Sequence, residues 1–180
     1  MLAVMTAWSL IATADVKPAS AEMTTDGRLD EPCWASADWN GEFRELAGRQ
    51  KGGEIIQTSF AIVADARAVY VGVRCREPAM DAVRALPPNN LWNCDCVEIF
   101  LAPSGRSFSF YHFAVPYDSR NGTATRFLSE GGNITPDPYG PPWKMARQDG
   151  TDEWTVEIEI PLSAFYMTRN DEWSTTWLVN

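Results

Sequence analysis

Three glutamates, Glu98, Glu157 and Glu159, sit in stretches where apolar and polar residues alternate, and their spacing raises hydrolytic chemistry first. Glycoside hydrolysis takes two carboxyl groups about 5–9 Å apart. Glu157 and Glu159 lie two positions apart, so a strand would hold them on one face roughly 6.5–7 Å from each other. The same alternation describes an ordinary wet strand face, and no other acid–base pattern accompanies the pair. A solvated face is therefore expected, and the chain does not read as an enzyme. His112 is the one histidine. No Ser or Cys nucleophile motif stands beside it, and it reads as a strand residue. Asp26, Asp30, Glu31, Asp65 and Asp95 are hard oxygen donors near turns, of the kind calcium takes. No EF-hand-like spacing links them, so a calcium site would have to be assembled from distant segments.

The composition directs attention to tryptophan, with 8 among 180 residues. Trp34, Trp154 and Trp177 stand in apolar patterns that place them in a core. Trp39, Trp143 and Trp173 stand among polar residues in loop-like contexts, where an exposed indole platform is conceivable. Trp92 follows Pro87-Pro88-Asn89-Asn90, between platform and loop anchor. Fifteen Lys plus Arg against 24 Asp plus Glu give a net charge of −9. Such a chain is a poor partner for phosphate backbones or anionic lipids. No apolar run reaches the roughly 20 residues of a membrane-spanning helix. Leu2–Ala14 is apolar and uncharged, and Ala12-Thr13-Ala14 and Ala19-Ser20-Ala21 read as small-x-small cleavage sites. Residues 1–21 are thus expected to be an export signal, cut after Ala14 or Ala21, placing the protein in a secreted, periplasmic or cell-surface setting. The four cysteines, Cys33, Cys75, Cys94 and Cys96, contain no CxxC, which argues against structural zinc. Cys94 and Cys96 would share a strand face. Pairing of Cys33 or Cys75 with either, or buried thiols throughout, both remain open.

The elements that must position these residues read as strands. Thr58–Ala64 and Val69–Cys75, joined across Asp65–Ala68, form a hairpin pattern. Cys96–Leu101 and Phe108–Val115 flank a turn at Ser104-Gly105-Arg106. Trp154–Ile160 alternates strictly, with Trp154, Val156, Ile158 and Ile160 on the apolar face. Asp30–Ala37 and Pro161–Phe165 are each expected to make one short helical turn. Glu77–Asn93 and Asn121–Pro142, rich in proline, are expected to be long connections without core residues. Short alternating strands with rich turns predict an all-β, antiparallel β-sandwich.

Three segments together resemble family 9 carbohydrate-binding modules and their relatives. Asp26-Gly-Arg-Leu-Asp-Glu-Pro-Cys-Trp34 resembles their opening DGxLDExxW. Leu91-Trp-Asn-Cys-Asp-Cys-Val-Glu-Ile-Phe-Leu101 resembles their xWxxDxVEIFL strand. Trp154-Thr-Val-Glu-Ile-Glu-Ile-Pro-Leu162 resembles their GWxVEIxIPF strand, and residues 68–77 fit between in order and spacing. The resemblance implies a DOMON-like sandwich of jelly-roll or immunoglobulin-like type over residues 22–180. It also implies carbohydrate as the partner. A pyranose has an apolar C–H face that stacks on indole and a rim of hydroxyls that needs charged or amide groups.

Carried over by position, Trp92 matches a stacking tryptophan and Glu98 a carboxylate that accepts bonds from sugar hydroxyls. Alternation puts Val97, Ile99 and Leu101 toward the core and Glu98 on the other side with Cys96 and Phe100. Asp95 matches an acid of the motif, in turn capping or calcium coordination. The strand His112–Pro116 resembles one that supplies Arg and Asn to the sugar; here those places hold Ala114 and Pro116, which donate nothing. A second stacking tryptophan is expected beyond Trp177-Leu-Val-Asn180, so the domain reads as lacking its last strands and as part of a longer polypeptide. Trp143, close to Tyr139, is the reserve platform, and Asn180 the amide candidate. Two other readings remain: a haem-binding DOMON domain using His112 with Met80 or Met145, or an interaction domain without a ligand.

Overall fold

The computed structural model describes residues 15–41, 58–85, 94–105, 109–117, 121–130, 133–165 and 173–180. The chain is an all-β, antiparallel β-sandwich in class, with two five-stranded sheets. It divides into two compact units, each holding one sheet.

The first unit contains β1 (Lys17–Pro18), α1 (Pro32–Ser36), β2 (Thr58–Ala64), β3 (Ala68–Arg76), α2 (Met80–Arg84), β8 (Lys144–Asp149) and β9 (Glu153–Pro161). Its sheet runs β1-β2-β3-β9-β8, with β1 parallel to β2 and the other pairs antiparallel. The expected hairpin forms, and Asp65 closes it. Its Oδ1 accepts the backbone N–H groups of Arg67 and Ala68 at 2.7 and 2.8 Å. Those bonds lead the causes that hold the Asp65 carboxyl below its ordinary range.

β3 and β9 share a dry face on which Val69, Val71, Val73 and Cys75 pair with Ile160, Ile158, Val156 and Trp154, all buried. The expectation of a wet face opposite is overturned. Glu157 is 0% exposed, because the segment from Thr24 to Trp34 folds over it. Glu157 Oε2 accepts the N–H groups of Asp26 and Gly27 at 3.1 and 3.2 Å, and Oε1 accepts the Trp34 indole N–H at 3.2 Å. Burial drives the Glu157 carboxyl above its ordinary range, against those hydrogen bonds. Glu159 accepts the Thr25 hydroxyl at 3.0 Å and the Lys144 ammonium at 3.0 and 3.1 Å. The two glutamates are structural anchors, not a flanking pair around an open cleft.

Glycine makes this docking fit. Gly72 lies across from Glu157. A Cβ there would meet Leu29 Cδ2 at 2.8 Å and Trp34 Cζ3 at 3.0 Å. Gly27, at φ +86°, leaves the allowed region of most residues and runs against the backbone of Arg147.

The second unit contains β4 (Cys96–Ala102), β5 (Ser109–Pro116), β6 (Thr123–Glu130), β7 (Asn133–Asp137), the 3₁₀ turn Leu162–Ala164 at its border, and β10 (Leu178–Val179). Its sheet runs β10-β4-β5-β6-β7, antiparallel throughout. On one face Val97, Ile99 and Leu101 pair with Val115, Phe113 and Tyr111, all buried. Tyr111 meets Phe165 edge-on at 5.1 Å, and Phe165 meets Trp177 at 5.0 Å.

The stretch 121–142 is not the expected connection, for β6 and β7 form a hairpin within it. Arg126 hid the first of these strands. It occupies a core-facing position, 1% exposed, where alternation would have an apolar residue. Asp137, its partner across β7, bonds its Nη1 at 3.0 Å, and the guanidinium lies 5.8 Å from the Tyr111 ring centroid. Likewise α2 lies inside the expected connection 77–93. Among the described residues no helix is long and apolar enough to cross a membrane.

Candidate functional site

The second unit's other face carries the chemistry. Pairing of β4 with β5 sets Glu98 opposite Ala114, Phe100 opposite His112 and Cys96 opposite Pro116. At the other edge of β4, Asn180 exchanges both backbone bonds with Phe100, at 2.7 and 3.0 Å. Alternation therefore puts Asn180 on the Glu98 face, at the sheet edge.

Glu98 is half-buried, with its side chain 30% exposed. Its Oε2 lies 2.9 Å from His112 Nε2. A carboxylate oxygen only accepts, so Nε2 carries the proton in this bond. Oε1 faces the Cys96 thiol at 4.0 Å. Burial and, second, the Glu98 charge push that thiol up to about 11, so it stays neutral. Phe100 and His112 stack at 4.4 Å with their planes 4° apart. Phe110 and Phe127 stack at 5.1 Å and 18°. These stacked rings line the face from which Glu98 rises.

Of the residues singled out from sequence, the structure brings Glu98 and Asn180 to one face, with Ala114 and Pro116 beside Glu98 as expected. Trp92 lies outside the described residues. Trp143, half-buried, immediately precedes β8 in the first unit. Asp95 is exposed just before β4, and its carbonyl accepts the Tyr117 N–H at 2.7 Å. Among the described residues no group of three His, Cys, Asp or Glu side chains is placed to hold a metal ion. Asp26 accepts the Arg28 N–H at 2.9 Å, and Glu31 that of Thr24 at 3.1 Å. No disulfide links the four cysteines. His112, weighed for haem, directs Nε2 at Glu98, and Met80 is 1% exposed in the first unit.

The remaining tryptophans divide as expected only in part. Trp34 and Trp154 are core, 1% and 3% exposed. Trp39 is not an open platform: its N–H donates to the Trp34 carbonyl at 2.9 Å, and the Arg74 guanidinium lies 4.3 Å above its ring. Trp173 is 45% exposed and meets Trp177 edge-on at 5.5 Å. The partnership of His112 with Glu98 was missed. It was readable in principle, because pairing Cys96–Leu101 with Phe108–Val115 around the turn at Gly105 puts both on one face.

The family model described as carbohydrate family 9 binding domain-like matches residues 25–180. The chain belongs to this family. A family 9 carbohydrate-binding module from Caldicellulosiruptor kristjanssonii, solved with cellotriose, is similar to this family 9 domain with a TM-score of 0.56 and 22% identity, over 82% of this chain and 66% of that one. The same bacterium's family 9 module solved with glucose gives a TM-score of 0.56 and 22% identity, over 82% and 68%. A Bacteroides uniformis protein gives 0.53 and 15%, over 83% and 72%. This family 9 domain thus spans just under two thirds of the cellotriose-bound module. No curated protein is similar enough to count as a match.

Proposed function

We propose that this family 9 domain is a non-catalytic carbohydrate-binding module that is exported. The observation that carries the reading is Glu98: a half-exposed carboxylate on a strand face, braced by His112, in a family whose solved modules include ones bound to cellotriose and glucose. Glu98 accepts sugar hydroxyls, Trp92 supplies the indole face for the C–H surface of the ring, and Asn180 offers an amide from the sheet edge. The apolar Leu2–Ala14, ending in the small-x-small site Ala12-Thr13-Ala14, supports export, and a cut there leaves β1 in place.

Isothermal titration of the protein with glucose, cellotriose and xylotriose tests this. Trp92→Ala should cost roughly 30-fold or more in affinity, the scale of a buried aromatic anchor. Glu98→Gln should cost about tenfold or more, the scale of a hydrogen bond to a charged group. Unchanged affinity in both variants would sink the site. Absence of binding across a broad glycan array, with and without calcium, would leave the ligand-free interaction domain.

A further inference from the structure

We propose that His112 is a positioning residue for Glu98, holding one carboxylate oxygen so that the other is presented to a sugar hydroxyl; this rests on the carbohydrate reading above. The two residues differ in freedom. Glu98 is a rotamer-rich side chain, 30% exposed, while His112 is 11% exposed and locked by its neighbours. Its ring stacks on Phe100 at 4.4 Å, and Phe127 lies 6.2 Å away at 42°. Such a ring is a fixed donor. Its Nε2 reaches Oε2 at 2.9 Å, diagonally across the β4–β5 pair. Ala114, directly opposite Glu98, carries only a methyl group, which makes no hydrogen bond to the carboxylate. Oε1 is left with only the Cys96 thiol at 4.0 Å, a weak donor at long range that a hydroxyl can displace. Because one torsional arrangement is already selected, a ligand does not have to order the side chain on binding.

Two substitutions separate donation from packing. His112→Phe keeps an aromatic ring against Phe100 and removes the donor. His112→Gln gives up the stack and keeps an amide N–H at a reach close to Nε2. Affinity is measured by titration with the tightest binder among glucose, cellotriose and xylotriose, and folding by thermal unfolding. If His112 positions Glu98, His112→Phe weakens binding about three- to tenfold, the factor set by one side chain left to be ordered. His112→Gln then stays within about twofold of the native protein despite its lost stacking. Native affinity in His112→Phe, or an equal loss in both variants, overturns the proposal while Glu98→Gln still reports on the site itself. A native protein that binds no sugar on a broad glycan array overturns the carbohydrate reading and this inference with it.

Discussion

The Trp34 indole donates to Glu157 at 3.2 Å across 123 residues of sequence. Asp26 and Gly27 add their backbone N–H groups to the same carboxylate. The opening segment Asp26–Trp34 and the strand Trp154–Leu162 are therefore two halves of one structural unit. Gly27, Glu31, Trp34 and Glu157 meet at that joint.

Replacing Glu157 should be costly, since three N–H donors converge on it. Glu157→Gln turns an amide N–H toward those donors and should destabilise by about 1–3 kcal/mol, the range for leaving a buried donor without its acceptor. The pH dependence has a defined sign. Burial raises the folded-state value above the ordinary 4.5, so the folded protein keeps this proton to higher pH than the unfolded chain. The associated stability is fully present below about 4.5 and fades as pH rises through the folded value. In urea unfolding, the gap between native protein and Glu157→Gln should therefore be wider at pH 4 than at pH 7. A gap that widens with pH would mean that the hydrogen bonds outweigh burial.

Gly72→Ala should destabilise by about 1–3 kcal/mol through overpacking. Its Cβ would meet Leu29 and Trp34 at 2.8 and 3.0 Å, inside a covered layer with little room to yield. Gly140→Ala serves as the control, because nothing lies within 4 Å of its Cβ position, and should change stability by less than about 0.5 kcal/mol. Equal thermal midpoints for the two variants would contradict the docking of Leu29 and Trp34 on β3.

The Arg126–Asp137 pair should behave as a buried pair does. Asp137→Asn removes the carboxylate that accepts from the guanidinium, 1% exposed, and should cost about 1.5–3 kcal/mol, the range for a hydrogen bond to a charged group. Adding Arg126→Met should recover part of that loss, because an apolar side chain of similar length then fills the place of the guanidinium. Chemical unfolding of the single and double variants measures it. A double variant less stable than Asp137→Asn would show that the arginine's packing on Tyr111 outweighs its charge.

What could be read from sequence follows from this same contrast. Val69–Cys75 and Trp154–Ile160 have simple apolar alternation, and both strands formed within a residue or two of expectation. Thr123–Glu130 has an arginine where alternation asks for an apolar residue, and its hairpin went unread. Glu157 failed in the opposite direction: periodicity assigns a face but does not say whether another segment covers it. In the candidate site, alternation was enough to turn Glu98 away from the core. It could not find His112, because that contact depends on the register between two strands.

The order β1-β2-β3-β9-β8 also constrains how the chain is made. β3 finds its partner β9 only 77 to 93 residues later, and β4 to β7 are synthesised in between. β4 to β7 are successive antiparallel neighbours and can zip together locally, whereas β3, with six successive buried residues from Ala68 to Val73, must wait with one edge unpaired. On the ribosome this is the sticky interval, when a flat apolar edge is open to other chains. Non-local pairing also makes it the slow one. Arrival of β9 ends that interval and, through Glu157, fastens Trp34 and the segment before it in the same event.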